Sequence, residues 1–186
     1  FDLALRKFIT KVDDKEPEKS REPEVDLKTL IEGTYDRNGK LERTATYTHP
    51  KDPLLVKNGS VVEYTIRVYN EGSEDGYAYE VSDDIPEGLV YDPDTTTNKE
   101  YGWKMYKEVK ENEKDVSEED IIEYNNKKYI ETTNAEEATM IRTRYLEKTL
   151  IKAFNSEEKK LDYADVKVVF IVDESKNPNK GTAIVN

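Results

Sequence analysis

The sequence predicts a β-rich sandwich with a helical insertion, and three observations support this fold class. The chain has 13 Tyr among 186 residues, and several of them alternate with Val and Ile, which suits half-buried sheet surfaces. Residues 60–70 and 164–172 have the apolar alternation or the β-branched composition of strands. Between these two segments, residues 134–154 carry apolar side chains at helical spacing.

The sequence of residues 1–9 predicts a strand whose apolar face includes one charged residue. Period-2 alternation puts Lys7 on the same face as Leu5 and Ile9. An unpaired ammonium buried on that face would cost several kcal/mol, roughly, so the fold must neutralise it, pair it or use it in a reaction.

The next strands follow along the chain with turn signals between them. Residues 60–70 predict a one-sided strand, with Val62, Tyr64, Ile66 and Val68 facing the core and Glu63, Thr65 and Arg67 facing solvent. Further strands are predicted over residues 77–81, 89–91, 164–172 and 182–186, each bounded by Gly, Pro or Asn.

Two helical segments and one loop complete the assignment. Residues 134–154 predict a helix or two, with Asn134 and Glu137 as a capping pair, and residues 26–31 predict a short helical turn. Residues 107–120 form a charged run that predicts a solvated loop. We therefore expect one domain over residues 1–186 with a helix-containing insertion at about 99–160.

Composition excludes several function classes. The net charge of −12 disfavours nucleic acid and anionic lipid as partners, because both are negatively charged. The sequence has no apolar run of membrane-spanning length, so we expect no membrane insertion. The chain begins with Phe1 and no leader precedes it, so we expect an excised piece of a longer chain.

The residue types that are missing narrow the chemistry further. The chain has no Cys, which excludes catalysis by thiolates and zinc sites built on them. It also has no Gln, which excludes thioester and Thr–Gln ester cross-links. Neither a His-based triad, a phosphate-binding loop nor a metal cluster is evident, so we expect neither a cofactor nor a conventional enzyme.

Three polar residues sit where their neighbours along each strand are apolar. Lys7 aligns with Leu5 and Ile9, Asp83 aligns with Val81 and Ile85, and Asn186 aligns with Ile184. A buried amine, carboxyl and carboxamide are the components of an intramolecular Lys–Asn isopeptide bond. Burial favours the neutral forms, so Lys7 could act as a nucleophile on Asn186 while a protonated Asp83 assists.

The same segments carry a resemblance to a known family. An opening D-L-x-L-x-K, an N-G-x-x-V-x-Y-T-I-x-V-x-N strand and a V-x-D-x-I-P-x-G-L turn resemble the immunoglobulin-like repeat domains of Gram-positive surface proteins, both the collagen-adhesin type and the isopeptide-forming fimbrial pilin domains. The matching residues are Asp2, Leu3, Leu5, Lys7, Asn58, Gly59, Val62, Tyr64, Thr65, Ile66, Val68, Asn70, Val81, Asp83, Ile85, Pro86, Gly88 and Leu89. The resemblance covers the flanking strands and not the segment at about 99–160.

The resemblance implies an immunoglobulin-like sandwich and a structural role. It implies that Lys7 and Asn186 form the cross-link and that Asp83 assists as the acid. It further implies a stalk or adhesin module that is extracellular, on the bacterial cell surface and anchored to the cell wall through a longer parent chain, with neighbouring repeat domains of that chain as partners.

Other interpretations of the same residues stay open. Lys7 could extend from a strand edge to solvent or pair with a carboxylate, Asp83 could serve only the following turn, and Asp84 is an equal candidate for the acid. The segment from about 101 to 154 could instead bind a host protein or a glycan, with Trp103 in an aromatic platform.

Two further groups of residues could bind a metal ion, but other interpretations fit them better. Asp92, Asp94 and Asn98 offer oxygen atoms for calcium, but a solvated turn fits them better because the glycine and distal Glu of an EF-hand are missing. His49 has no second His or Cys to complete a metal site, and with Pro50 it indicates a turn.

Overall fold

The computed structural model describes residues 2–110 and 117–177, and within them the fold is mainly β. The strands are β1 (Leu3–Val12), β2 (Glu24–Asp26), β3 (Thr34–Tyr35), β4 (Leu41–Glu42), β5 (Thr46–Thr48), β6 (Val61–Asn70), β7 (Gly76–Tyr77), β8 (Val81–Asp84), β9 (Leu89–Tyr91), β10 (Lys104–Glu108), β11 (Ile122–Tyr124), β12 (Lys127–Thr132), β13 (Met140–Thr143), β14 (Leu150–Ile151) and β15 (Tyr163–Val172). The α-helices are α1 (Lys28–Glu32) and α2 (Thr96–Glu100), and short 3₁₀ turns cover Glu118–Asp120 and Glu174–Lys176.

Two larger sheets share one hydrophobic core. The first has four strands in the order β1-β6-β15-β9, and the second has five in the order β11-β12-β10-β13-β8. Buried side chains from both sheets meet in one cluster, which includes Ile66 and Val166 from the first sheet and Val81, Met105 and Ile141 from the second. The space between the sheets is therefore the most strongly desolvated part of the molecule.

Strand β6 is the centre of the first sheet and is buried on both faces. Val62, Ile66 and Val68 face the shared core as predicted. Glu63 and Arg67, expected to face solvent, are only 9% and 8% exposed, so the prediction of a one-sided strand is wrong.

A covering segment, residues 13–50, accounts for this second buried face. Glu22 of this segment pairs with Arg67. The Ala45 backbone N–H and the Tyr47 hydroxyl donate to Glu71 Oε1 at 2.9 and 2.7 Å. These contacts hold the segment across the outer side of the first sheet.

Several predicted elements are confirmed with bounds that differ by at most three residues. Strands at 1–9, 60–70, 89–91 and 164–172 correspond to β1, β6, β9 and β15, and the helical turn at 26–31 corresponds to α1. The strand predicted over 77–81 is instead divided between β7 and β8, and the charged run at 107–120 begins inside β10. The strand predicted over 182–186 lies outside the described residues.

The predicted helix at 134–154 is wrong, and with it the helical character of the insertion at 99–160. Strands β10 to β14 lie in that range, and β10 to β13 supply four of the five strands of the second sheet. Asn134, taken as a helix cap, accepts from the Glu136 N–H at 3.0 Å in a turn that leads into β13. Met140 and Ile141 point to opposite faces of β13, and both are fully buried. Because both faces of this strand are apolar, its sequence lacks the alternation of a one-sided strand and fits the apolar spacing of a helix.

Candidate functional site

Lys7 lies on the inner face of the first sheet. Its register partner in β6 is Ile66, which in turn faces Val166 in β15. Directly opposed residues of an antiparallel pair point to the same side of the sheet. The Lys7 side chain therefore lies on the same side as the core side chains of Ile66 and Val166. The lysine side chain is 16% exposed.

Asp83 lies on the inner face of the second sheet. Its register partner in β13 is Ile141, which is fully buried, whereas the next residue, Asp84, pairs with Met140 on the outer side and is exposed. A turn directly after β8 ends the strand: the Leu89 N–H donates to the Pro86 carbonyl at 3.1 Å, and Gly88 adopts a φ of 80°. Such a turn requires positive φ at its third residue, which Gly adopts without strain.

The two side chains meet across the core. Lys7 Nζ lies 2.6 Å from Asp83 Oδ2, and each side chain is 16% exposed. The ammonium position also lies 4.6 Å from the ring centre of Tyr64 and 5.3 Å from that of Phe170. The contact thus joins the two sheets through a polar pair with aromatic walls.

Burial moves both groups toward their neutral forms. Desolvation lowers the pKa of Lys7 below its ordinary value, although the neighbouring carboxylate of Asp83 opposes this change. Desolvation also raises the pKa of Asp83, against the opposing effect of Lys7. Burial likewise raises the pKa of Tyr64 to about 12, with a further contribution from Asp83, so its hydroxyl stays protonated at neutral pH.

This arrangement has the properties of an amine nucleophile beside a general acid. A lysine becomes nucleophilic when its pKa falls, because the neutral amine carries the reactive lone pair. A protonated carboxyl can donate a hydrogen bond to a carbonyl oxygen and then exchange protons with the leaving group.

The sequence predicts the contact of Lys7 with Asp83 but not the aromatic rings beside it. Lys7 and Asp83 lie in contact, Asp84 is exposed on the other side of β8, and Asn186 lies outside the described residues. Tyr64 and Phe170 were seen only as core strand residues. Their place above the lysine follows from the register of β1, β6 and β15, which one strand's alternation does not reveal.

The other candidate sites have structural roles. The Trp103 indole N–H donates to the Lys167 carbonyl at 2.7 Å, and Trp103 belongs to the core rather than to an exposed platform. Asn98 is buried and donates to the Asp92 and Val169 carbonyls at 2.7 and 2.9 Å, while Asp94 pairs with Lys99.

Metal-binding clusters and membrane-spanning helices are absent from the part of the chain that the structure describes. Across residues 2–110 and 117–177, acidic, His and Cys side chains form no group of three that could hold a metal ion. Within the same ranges, no helix combines the length and apolar character needed to cross a membrane.

Comparison with known proteins gives no relative. No protein family, curated protein or solved structure matches the chain.

Proposed function

We propose that this protein is a structural module of a bacterial surface protein, an immunoglobulin-like stalk or adhesin domain stiffened by a bond between Lys7 and Asn186. Its place is the cell wall of a Gram-positive cell, in series with neighbouring domains of a longer chain. The observation that carries this proposal is the 2.6 Å contact of Lys7 with Asp83 inside the core.

The location of this contact supports a chemical role over a purely stabilising one. A buried ion pair costs desolvation that its attraction often fails to offset, and a pair of apolar side chains would fill the same space at lower cost. The lowered pKa of Lys7 and the raised pKa of Asp83 are the directions that the reaction needs.

The reaction would be a single acyl transfer within the chain. The neutral Lys7 amine attacks the side-chain carbonyl of Asn186, and Asp83 hydrogen-bonds the carbonyl oxygen as negative charge develops. A C–N bond to Lys7 Nζ forms, and the C–N bond to the Asn186 amide nitrogen breaks. Asp83 relays the proton that Lys7 Nζ loses to the departing nitrogen, which leaves as ammonia. The fold supplies proximity in place of an enzyme.

A mechanical benefit follows from which strands are joined. The bond would close a loop of nearly the whole chain, which restricts the unfolded state. Tension applied at the two ends would pass through the covalent link and bypass the hydrogen bonds of the sheets. This property suits a stalk that stands under shear.

Intact-protein mass spectrometry tests the proposal. We expect the purified chain to weigh less than its sequence mass by one ammonia, and we expect Lys7→Met, Asp83→Ala and Asn186→Ala each to have the full mass. A full mass in the wild-type protein would overturn the cross-link.

Matched controls separate the site from general effects of charge. Lys11→Met removes another lysine of β1, and Asp84→Ala removes the adjacent exposed carboxylate of β8. Both variants should retain the ammonia loss. If Asp84→Ala blocks it and Asp83→Ala does not, the acid has been misassigned.

A further inference from the structure

A cavity of about 330 Å³ opens on the outer side of the second sheet, away from the Lys7–Asp83 pair. The strands β10, β12 and β13 form its floor. Its lining includes the side chains of Glu80, Lys104, Tyr106, Glu131, Arg142 and Arg144. The volume lies at the lower end of the range for small-ligand pockets.

The lining carries an excess of positive charge in a strongly negative chain. Three cationic side chains, Lys104, Arg142 and Arg144, line the cavity together with two carboxylates, Glu80 and Glu131. The chain as a whole has a net charge of −12. Arg142 pairs with Glu80 at 2.8 Å and Lys104 pairs with Glu131 at 3.0 Å. The exposed Arg144 lies farther from Glu80, at 3.7 Å, so its guanidinium can turn toward an added anion.

Arg142 has hydrogen-bonding capacity that the fold does not use. Its Nε is buried and has no hydrogen-bond partner among the described residues, although buried donors are nearly always paired. An anion bound in the cavity would offer this guanidinium a further acceptor. Arg is also suited to a planar carboxylate, which it binds through two parallel hydrogen bonds.

Tyrosine rings stand in and beside the cavity. Tyr106 is part of the lining, and the Arg144 guanidinium lies 4.7 Å from the ring centre of Tyr79, which is 60% exposed. Aromatic faces with a polar rim suit the C–H faces of sugar rings.

From this combination we propose that the cavity binds a saccharide bearing a carboxylate, such as a terminal sialic acid or a uronic acid. The cations would bind the carboxylate, Tyr106 and Tyr79 would contact the ring, and Glu80 and Glu131 would accept hydrogen bonds from sugar hydroxyls. The same two carboxylates would repel a multiply charged phosphate or sulfate, which favours a singly charged ligand with donors. The inference is independent of the cross-link, because the two sites lie on opposite faces of the sheet.

Calorimetric titration with sialyllactose and with a trisaccharide of galacturonic acid tests the inference, with lactose as the uncharged control. We expect saturable binding of at least one acidic sugar that weakens as salt is added, and weaker binding of lactose. Comparison of the two acidic sugars identifies the source of the carboxylate.

Two pocket variants and one matched control locate the binding. Lys104→Ala and Arg144→Ala should each raise Kd about fivefold, the factor for loss of one charged hydrogen bond of about 1 kcal/mol. Lys99→Ala is the control, because Lys99 is 61% exposed and paired at 2.9 Å with Asp94, much as Lys104 is 61% exposed and paired with Glu131. Its Kd should stay at the wild-type value.

Three results would overturn the inference. They are equal affinity for lactose and the acidic sugars, equal Kd for the pocket variants and the control, and failure of every sugar to approach saturation at about 10 mM. Because all three substituted side chains are more than half exposed, the variants should fold normally. None of these results bears on the ammonia loss.

Discussion

The two faces of the first sheet both bury cations beside carboxylates, yet the pKa values of the two cations move in opposite directions. On the inner face, Lys7 contacts Asp83 between aromatic rings, and desolvation lowers the pKa of the lysine. On the outer face, Arg67 binds Asp165 through two hydrogen bonds of 2.7 and 2.8 Å and also pairs with Glu22. Although burial alone would lower the pKa of Arg67, the bonds to Asp165 and Glu22 raise it.

The difference lies in residue type and in the number of partners. A guanidinium with two carboxylates stays charged and holds the covering segment in place, because its hydrogen bonds offset the cost of burial. A lysine amine between rings is readily neutralised, and only the neutral amine can attack a carbonyl. Proximity of opposite charges is therefore a weak sign of function by itself, and the local solvation decides what the pair does.

The largest expected effect comes from removing the inner cation. Lys7→Met retains apolar bulk but abolishes the nucleophile, and we expect the free energy of unfolding to fall by about 4–5 kcal/mol, the range for opening a loop of this size. Chemical denaturation measures this change in the free energy of unfolding. Breaking a buried ion pair alone costs about 3–5 kcal/mol, so Asn186→Ala, which keeps the Lys7–Asp83 pair but cannot form the bond, is the matched variant. A loss below about 1 kcal/mol in Asn186→Ala would mean that no cross-link contributes to stability.

Removing the outer cation should cost less and leave the chemistry intact. Arg67→Met leaves Asp165 and Glu22 without their shared partner, and we expect a loss of about 3 kcal/mol. The variant should still lack one ammonia by mass. Retention of the full mass would show that the outer cluster controls the inner reaction and that the two faces are not independent.

A variant that cannot form the bond should reveal the uncoupled pair through its pH dependence. In Asn186→Ala, folded Asp83 holds its proton above its ordinary pKa of 3.8, so the free energy of unfolding should fall as pH rises from that value. Folded Lys7 loses its proton below its ordinary pKa of 10.5, so the unfolded state binds more protons there and stability should rise as pH approaches 10.5. Each slope is at most about 1.4 kcal/mol per pH unit.

The expected curve therefore has a minimum between the two windows. The triple variant Lys7→Met, Asp83→Asn, Asn186→Ala should lack both slopes while it keeps every other titrating group. Identical curves for the single and triple variants would contradict the burial of this pair.

The smallest effect is expected at the other outer pair. Lys167 Nζ contacts Glu63 at 3.0 Å, but the lysine side chain is 35% exposed, and Thr10 Oγ1 also donates to Glu63 at 2.9 Å. Lys167→Met should change the free energy of unfolding by less than about 1 kcal/mol. A loss as large as that of Lys7→Met in the same denaturation series would remove the distinction between the faces.

The sequence was sufficient where one strand's alternation decides the outcome. β1, β6, β9 and β15 are strongly apolar on one side, and alternation alone puts Lys7 toward the core. The choice between Asp83 and Asp84 needed the pairing of β8 with β13, because adjacent residues differ only in the face that they occupy.

The sequence was insufficient where burial depends on distant segments. The outer partners of β6 come from residues 13–50 and from β15, far away along the chain, so Arg67 looked solvent-exposed. Strands β10 and β12 were not predicted because they carry several charged side chains, and their inner residues become apolar neighbours only once the sheet is assembled.

The central claim is that the buried lysine reacts with the terminal asparagine, and peptide mapping with tandem mass spectrometry tests it most directly. We predict a branched peptide in which the Lys7 side chain is joined to that of Asn186, with one ammonia lost and with no such species in Asp83→Ala. Recovery of Lys7 and Asn186 only in separate, unmodified peptides from the wild-type protein would contradict the account.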